Sequence, residues 1–104
     1  MTETRLREIA EEYRDALEGS GISVTAIYLF GSCARGDERD GSDVDFCVVS
    51  DALGDDDFED MVRLNQIAKR VAPELEVFPV SGVEFRQEVN PFLLEAKRYG
   101  KRLI

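Results

Sequence analysis

The chain has 104 residues, which is enough for one domain with one modest core. Its formal net charge of −9 argues against direct nucleic-acid binding, which needs a basic surface. The N-terminus is charged from Glu3 onward and no apolar run approaches about 18 residues, so we expect a cytoplasmic protein without a membrane span.

The N-terminal part of the chain predicts a helix followed by a strand. From Met1 to Glu18, apolar residues recur at three- and four-residue spacing, which is typical of an amphipathic helix. The segment Gly19-Ser20-Gly21 is expected to end this helix. The near-continuous apolar run from Ile22 to Phe30 predicts a first strand that is buried on both faces.

The stretch Tyr28–Val49 organises the rest of the chain and begins with a phosphate-binding pattern. Gly31 and Ser32 break the apolar run, and Ser32 can cap a helical turn that starts at Cys33. The free backbone N–H groups of such a turn point toward one place and favour a bound phosphate. The turn is therefore a candidate nucleotide-binding element.

Two aspartates follow the turn at the start of the next apolar run. Asp43 and Asp45 are two residues apart, so their side chains would share one face of a strand. Adjacent carboxylates repel each other and need a cation or a proton between them. Together with the phosphate turn, they predict a site for a nucleotide and a hard divalent metal, most plainly Mg²⁺.

The spacing of these residues resembles a known signature. Gly31-Ser32, ten further residues and Asp43-Val44-Asp45 are similar to the motif of the polymerase β-type nucleotidyltransferase superfamily. The intervening Cys33-Ala34-Arg35-Gly36 and Ser42 narrow the resemblance to the minimal nucleotidyltransferase (MNT) family, which includes MntA-like antitoxins. Because several positions must match at once, this pattern is far more specific than a bare Asp-x-Asp.

An acidic loop and a second amphipathic helix are predicted after the motif. Ser50 to Asp60 reads as a loop leading into a helix, and Asp55-Asp56-Asp57 would lie near the helix N-terminus, where negative charge is favoured. The predicted apolar stripe of this helix contains Phe58, Met61, Val62, Leu64, Ile67, Ala68 and Val71.

The segment from Glu74 to Val80 predicts a third strand that carries one unexpected carboxylate. Glu76 lies between Leu75 and Val77, and it is either a solvent-facing strand residue or a metal ligand. The resemblance implies the second reading, because the family has an acidic residue on a later strand beside the Asp-x-Asp pair. That residue is usually Asp, so Glu76 departs from the pattern, and Glu74 is a less favoured substitute.

Two short helices are predicted at the C-terminal end. Ser81 and Glu84 form a capping-box pattern for a helix to about Val89, and a second helix is expected from Asn90 to Tyr99. A basic cluster follows, which either complements the helix dipole or contacts phosphates or an acidic partner: Lys97, Arg98, Lys101 and Arg102.

These elements predict a single α/β domain over residues 1–104, with a small mixed β-sheet and helices packed on it. The resemblance implies the nucleotidyltransferase fold. Two cysteines, Cys33 and Cys47, and no histidine argue against a zinc site. Cys47 is expected to be a small core residue, and Cys33 a turn residue rather than a reactive thiol.

The chemistry that the resemblance implies is transfer of NMP, with AMP from ATP the expected case although another NTP stays open. Gly31 and Ser32 would bind the triphosphate, and Arg35 would neutralise phosphate or brace the loop. Asp43, Asp45 and Glu76 would act in catalysis and hold two Mg²⁺ ions.

The acceptor is expected to be a separate protein, because 104 residues leave no room for an acceptor domain. In the resembled family, the partner is a HEPN-domain toxin with RNase activity, which is silenced by adenylylation and with which a hetero-oligomer can form. Two alternatives stay open: a non-catalytic toxin- or nucleotide-binding partner with a relict site, and a stand-alone enzyme acting on a small hydroxyl compound.

Overall fold

A computed structural model describes residues 2–30, 44–54 and 56–104, without the side chains of Asp57 and Phe92. Of the predicted site, Gly31, Ser32, Arg35 and Asp43 lie outside these residues. The described elements, in chain order, are α1 (Glu3–Gly19), β1 (Ala26–Phe30), β2 (Val44–Ser50), α2 (Asp57–Val71), β3 (Leu75–Ser81), α3 (Gly82–Gln87), α4 (Pro91–Tyr99) and β4 (Lys101–Arg102).

The described strands form one mixed sheet in the order β3-β2-β1-β4. β1 pairs antiparallel with β2 and with β4, whereas β2 and β3 pair in parallel across the α2 connection. The predicted fold class, a small mixed sheet carrying helices, is therefore confirmed. β4 was not predicted, because two residues are too short to carry an alternating pattern.

Both faces of the sheet are covered by helices. Successive strand residues point to opposite faces, so Phe46 packs toward α1 and α2 while Cys47 packs toward α3 and α4. On the first face, the buried Tyr13 of α1 donates a 2.8 Å hydrogen bond to the Leu64 carbonyl of α2. This bond fixes the two long helices to each other above the sheet.

The first strand is shorter than predicted. It starts at Ala26 rather than Ile22, because Ile22 takes part in ending α1. The Ile22 N–H donates to the Leu17 carbonyl at 2.9 Å, and Gly21 has a φ of 86°, which favours glycine. The apolar side chain of Ile22 is buried as expected, but its backbone belongs to a helix C-terminal turn.

The apolar stripe predicted for α2 is only partly buried. Leu64, Ile67 and Ala68 face the core, but Phe58 is 79% exposed and Met61 and Val62 are also exposed. The predicted helix is present, and its stripe is buried only in the second part. Helical spacing indicates which side of a helix is apolar, but not where along its length the helix meets the sheet.

The predicted capping box of Ser81 and Glu84 is present, and Asp56 lies at the N-terminus of α2 as expected. Asp56 caps α2, its side chain accepting a 3.0 Å hydrogen bond from the Glu59 N–H. Ser81 Oγ accepts from the Glu84 N–H at 3.1 Å and donates to the Glu84 carboxylate. The helix α3 ends at Gln87, two residues earlier than expected.

In the described ranges, no helix is long and apolar enough to cross a membrane.

Candidate active site

Two of the predicted acidic residues lie next to each other in the sheet. Asp45 is the second residue of β2 and Glu76 is the second residue of β3. The two strands are parallel, and Asp45 and Glu76 are direct partners in their register. Neighbouring strands are about 4.8 Å apart. The carboxylate oxygens lie three bonds from Cα in Asp and four in Glu, so both side chains can approach the same ion or substrate atom.

Both carboxylates project from the same face of the sheet. Val44, Phe46, Leu75 and Val77 fill the core under α1 and α2, so the alternating Asp45 and Glu76 project toward the side of α3 and α4. On that side Asp45 is half-buried and Glu76 is exposed. A pair of this kind is accessible from solvent at the edge where β2 and β3 begin.

Two aromatic rings lie on the same face of the sheet as the pair. Phe30, the last residue of β1, is the antiparallel partner of Asp45, and Phe78 lies two residues beyond Glu76 on the same face. The rings of Phe30 and Phe78 meet edge to face, with centroids 5.3 Å apart. The two carboxylates therefore share their face of the sheet with a pair of aromatic rings.

The donor chemistry of the pair suits a hard divalent cation, which prefers carboxylate oxygens. Among the described residues, Asp45 and Glu76 are not joined by a third His, Cys, Asp or Glu in a group that could hold a metal. Asp43, which would share the face of Asp45, lies outside the described residues, and its role stays a prediction. The same holds for Gly31, Ser32 and Arg35.

The alternative carboxylate, Glu74, takes part in the sheet through its backbone. Its carbonyl accepts a 2.9 Å hydrogen bond from the Val44 N–H, just before the first residue of β3. Glu76, not Glu74, is the register partner of Asp45. The geometry therefore favours Glu76 as the third carboxylate.

Cys47 is a core residue, as predicted. It lies two residues beyond Asp45 and is fully buried against the second face of the sheet. Burial, and secondarily the negative charge of Glu84, raises the pKa of the Cys47 thiol to about 12. A buried thiol that stays protonated at neutral pH is a poor nucleophile, which agrees with a core role.

The C-terminal basic residues contact groups away from the carboxylate pair. Lys97 donates to Glu88 at 2.9 Å and lies 4.5 Å from the Phe85 ring centre. Arg102 donates to the Ile104 carbonyl at 2.8 Å and lies over Tyr28. Lys97 and Arg102 are therefore engaged in contacts within the domain, while a contact with phosphate or an acidic partner stays a prediction.

Sequence analysis missed two polar residues of α2 that contact β3 next to Glu76. Asn65 bonds the backbone of Val77, and Lys69 bonds the carbonyl of Leu75. Their spacing of four residues puts them on one face of the helix. The available signal was this four-residue spacing of an amide and an ammonium, in a helix that leads into a strand.

Comparisons with known proteins identify the family and the fold. The family description "Nucleotidyltransferase domain" matches residues 6–99 of the chain. A Sulfolobus solfataricus protein named as a nucleotidyltransferase superposes with a TM-score of 0.61 at 23% identity, over 81% of this chain and 74% of that one. A search of curated proteins finds no match.

Two toxin–antitoxin structures share the fold as well. One, with AMP-PNP, has a TM-score of 0.62 at 23% identity over 94% of this chain and 72% of that one. The other, a mutant of the MntA–HpeT pair, has a TM-score of 0.55 at 20% identity over 100% of this chain and 73% of that one. The resemblance inferred from the Gly-Ser and Asp-x-Asp motif is confirmed: the chain belongs to the nucleotidyltransferase domain family.

Proposed function

We propose that this nucleotidyltransferase moves AMP from ATP to a hydroxyl group on a partner protein. The observation that carries the proposal is the parallel register that sets Asp45 beside Glu76 at the end of the sheet where β2 and β3 begin. Phosphoryl chemistry of this kind depends mainly on positioning and charge neutralisation. Two adjacent carboxylates would supply the positioning, and a cation that they hold would supply the neutralisation.

We propose that Asp43, Asp45 and Glu76 bind Mg²⁺, as two ions. When bound, Mg²⁺ would neutralise phosphate oxygens and make the acceptor hydroxyl easier to ionise. The exposed carboxylate of Glu76 and the half-buried one of Asp45 supply oxygen ligands of the kind this ion prefers. A molecule with a net charge of −9 also needs a cation to hold a triphosphate near these carboxylates.

In the proposed reaction the acceptor oxygen attacks the α-phosphorus of ATP and forms a new O–P bond. The bond from that phosphorus to the bridging oxygen breaks, and pyrophosphate leaves with the electron pair. The proton of the acceptor hydroxyl would pass to the carboxylate of Glu76, which is exposed to solvent. Gly31, Ser32 and Arg35 are proposed to hold the triphosphate during this step.

We propose that the partner is a HEPN-type RNase toxin and that the chain is its antitoxin. Two structural neighbours are toxin–antitoxin proteins, one of them with AMP-PNP, which supports both a nucleotide and a toxin as ligands.

Co-expression with the product of the neighbouring gene tests the proposal. Mass spectrometry of that product should find added AMP, and ATP labelled at the α-phosphorus, but not at the γ-phosphorus, should transfer its label. EDTA should stop the transfer and excess Mg²⁺ should restore it. Stable binding of the partner without any label transfer would support the relict-site alternative instead, and label from the γ-phosphorus would indicate a kinase.

A further inference from the structure

The outer edge of β3 is closed by side chains rather than by another strand. β3 is the last strand in the order β3-β2-β1-β4 of the described sheet, so its backbone groups on that side need other partners. Asn65 of α2 supplies two of them: its Oδ1 accepts from the Val77 N–H at 2.9 Å, and its Nδ2 donates to the Val77 carbonyl at 2.9 Å. The amide thus pairs with Val77 as a neighbouring strand would.

Lys69 closes the same edge two residues earlier. Its ammonium donates to the Leu75 carbonyl at 2.7 Å and to the Pro73 carbonyl at 3.0 Å. Asn65 is also held on its own helix, because Nδ2 donates to the Met61 carbonyl at 2.9 Å. The two side chains therefore tie α2 to β3 at the positions immediately before and after Glu76.

The backbone of Glu76 itself faces the other way. Along a strand, the N–H and C=O groups of successive residues point to alternate edges. Since the Glu74 carbonyl bonds the Val44 N–H, Glu76 also presents its backbone to β2, where its partner is Asp45. β3 is thus held on both edges around the carboxylate that completes the proposed site.

We propose that Asn65 and Lys69 are positioning residues, which hold β3 in the register that keeps Glu76 beside Asp45. This inference rests on the proposed function of the Asp45–Glu76 pair. A slip or tilt of β3 would move the Glu76 carboxylate away from the ion and the acceptor, and a displacement of about 1 Å can cost about 10²-fold in rate. Residues that hold a metal ligand in place commonly contribute about 10- to 100-fold to metal affinity.

Binding of Mn²⁺, measured by electron paramagnetic resonance with an ATP analogue that has a carbon bridge between the α- and β-phosphates, tests this inference. Asn65→Leu keeps the bulk but removes the bonds to Val77, and we expect it to weaken Mn²⁺ binding about tenfold. Lys69→Met should weaken it in the same direction, while Lys69→Arg, which keeps a cationic donor, should restore most of the affinity. Ile67→Val, a core change on the same helix, is the control for lost stability.

The same measurements in a Glu76→Gln background separate positioning from general destabilisation. We expect Asn65→Leu to add no further loss there, because it acts through Glu76. An equal loss in both backgrounds, an equal loss in Ile67→Val, or wild-type affinity in both Asn65→Leu and Lys69→Met would overturn the inference. Wild-type affinity in Glu76→Gln itself would instead overturn the proposed role of Glu76, and the positioning role with it.

Discussion

At the scale of single residues, Glu76 shows which features of the site can be predicted from the sequence and which cannot. The carboxylate between Leu75 and Val77 was visible in the sequence, and its strand was predicted within one residue at each end. That Glu76 meets Asp45 depends on the parallel register of β2 and β3, which is set by the packing of residues far apart in the chain. No local pattern carries that information.

The buried thiol of Cys47 makes stability depend on pH. Its pKa is raised from 9.0 to about 12 in the fold, so between these values the unfolded chain loses a proton that the folded chain keeps. The contribution is fully present below about pH 9 and is lost as the pH rises toward 12, at up to about 1.4 kcal/mol per pH unit. Urea unfolding from pH 8 to 11 should show this slope, and Cys47→Ala should reduce it.

Tyr13 contributes to the pH dependence of stability in the wild type and in Cys47→Ala alike. Burial also raises the pKa of Tyr13, and this residue is present in both proteins, so the difference between them isolates the thiol. Identical pH slopes in the wild type and Cys47→Ala would mean that Cys47 ionises as easily in the fold as in the unfolded chain.

At the scale of elements, the two halves of α2 should respond differently to mutation. Phe58 is 79% exposed, so Phe58→Ser is expected to change the free energy of unfolding by no more than about 0.5 kcal/mol. Leu64 is fully buried, and Leu64→Ala should cost about 2–5 kcal/mol. Chemical denaturation measures both changes in the free energy of unfolding. A loss for Phe58→Ser as large as for Leu64→Ala would mean that the first part of the apolar stripe is buried as well.

Gly100 links α4 to the short strand β4 and has no room for a side chain. A Cβ there would collide with the Leu29 carbonyl oxygen and lie 2.6 Å from the Ala96 carbonyl oxygen, both of them backbone atoms that cannot turn aside. Gly100→Ala should therefore lower the free energy of unfolding by about 1–3 kcal/mol, as overpacking does.

Gly19→Ala is the matched control, because a Cβ at Gly19 meets nothing within 4 Å. It replaces a glycine at the end of α1 by a better helix former and should leave the stability unchanged or slightly higher. Equal melting temperatures for Gly100→Ala and the wild type would show that β4 moves away from β1 at no cost.

Element prediction was most successful where periodicity extended over several turns. α1 and the C-terminal helix were placed within two residues, because their apolar residues recur at helical spacing. β4 and the true start of β1 were missed, since both depend on the C-terminal turns of α4 and α1 rather than on strand patterning. The strand order was not predicted either, because it depends on how the strands pack in the sheet.

At the scale of the whole molecule, the acidic charge and the acidic site have a common consequence. With a net charge of −9 and two adjacent carboxylates in the sheet, the protein is expected to repel a free triphosphate, so the proposed nucleotide binding would depend on a cation. The proposed chemistry places that cation between Asp45, Glu76 and the nucleotide. The central claim is therefore that one reacting centre is formed jointly by β2 and β3.

The most direct test is the initial rate at which label from α-labelled ATP reaches the co-expressed partner in variants of the third carboxylate. Glu76→Gln should lower the rate by at least about 10²-fold while the protein stays folded, because it removes a ligand and a proton acceptor at once. Glu74→Gln, one strand period away, should transfer at the wild-type rate. Wild-type transfer in Glu76→Gln, or loss confined to Glu74→Gln, would contradict the account.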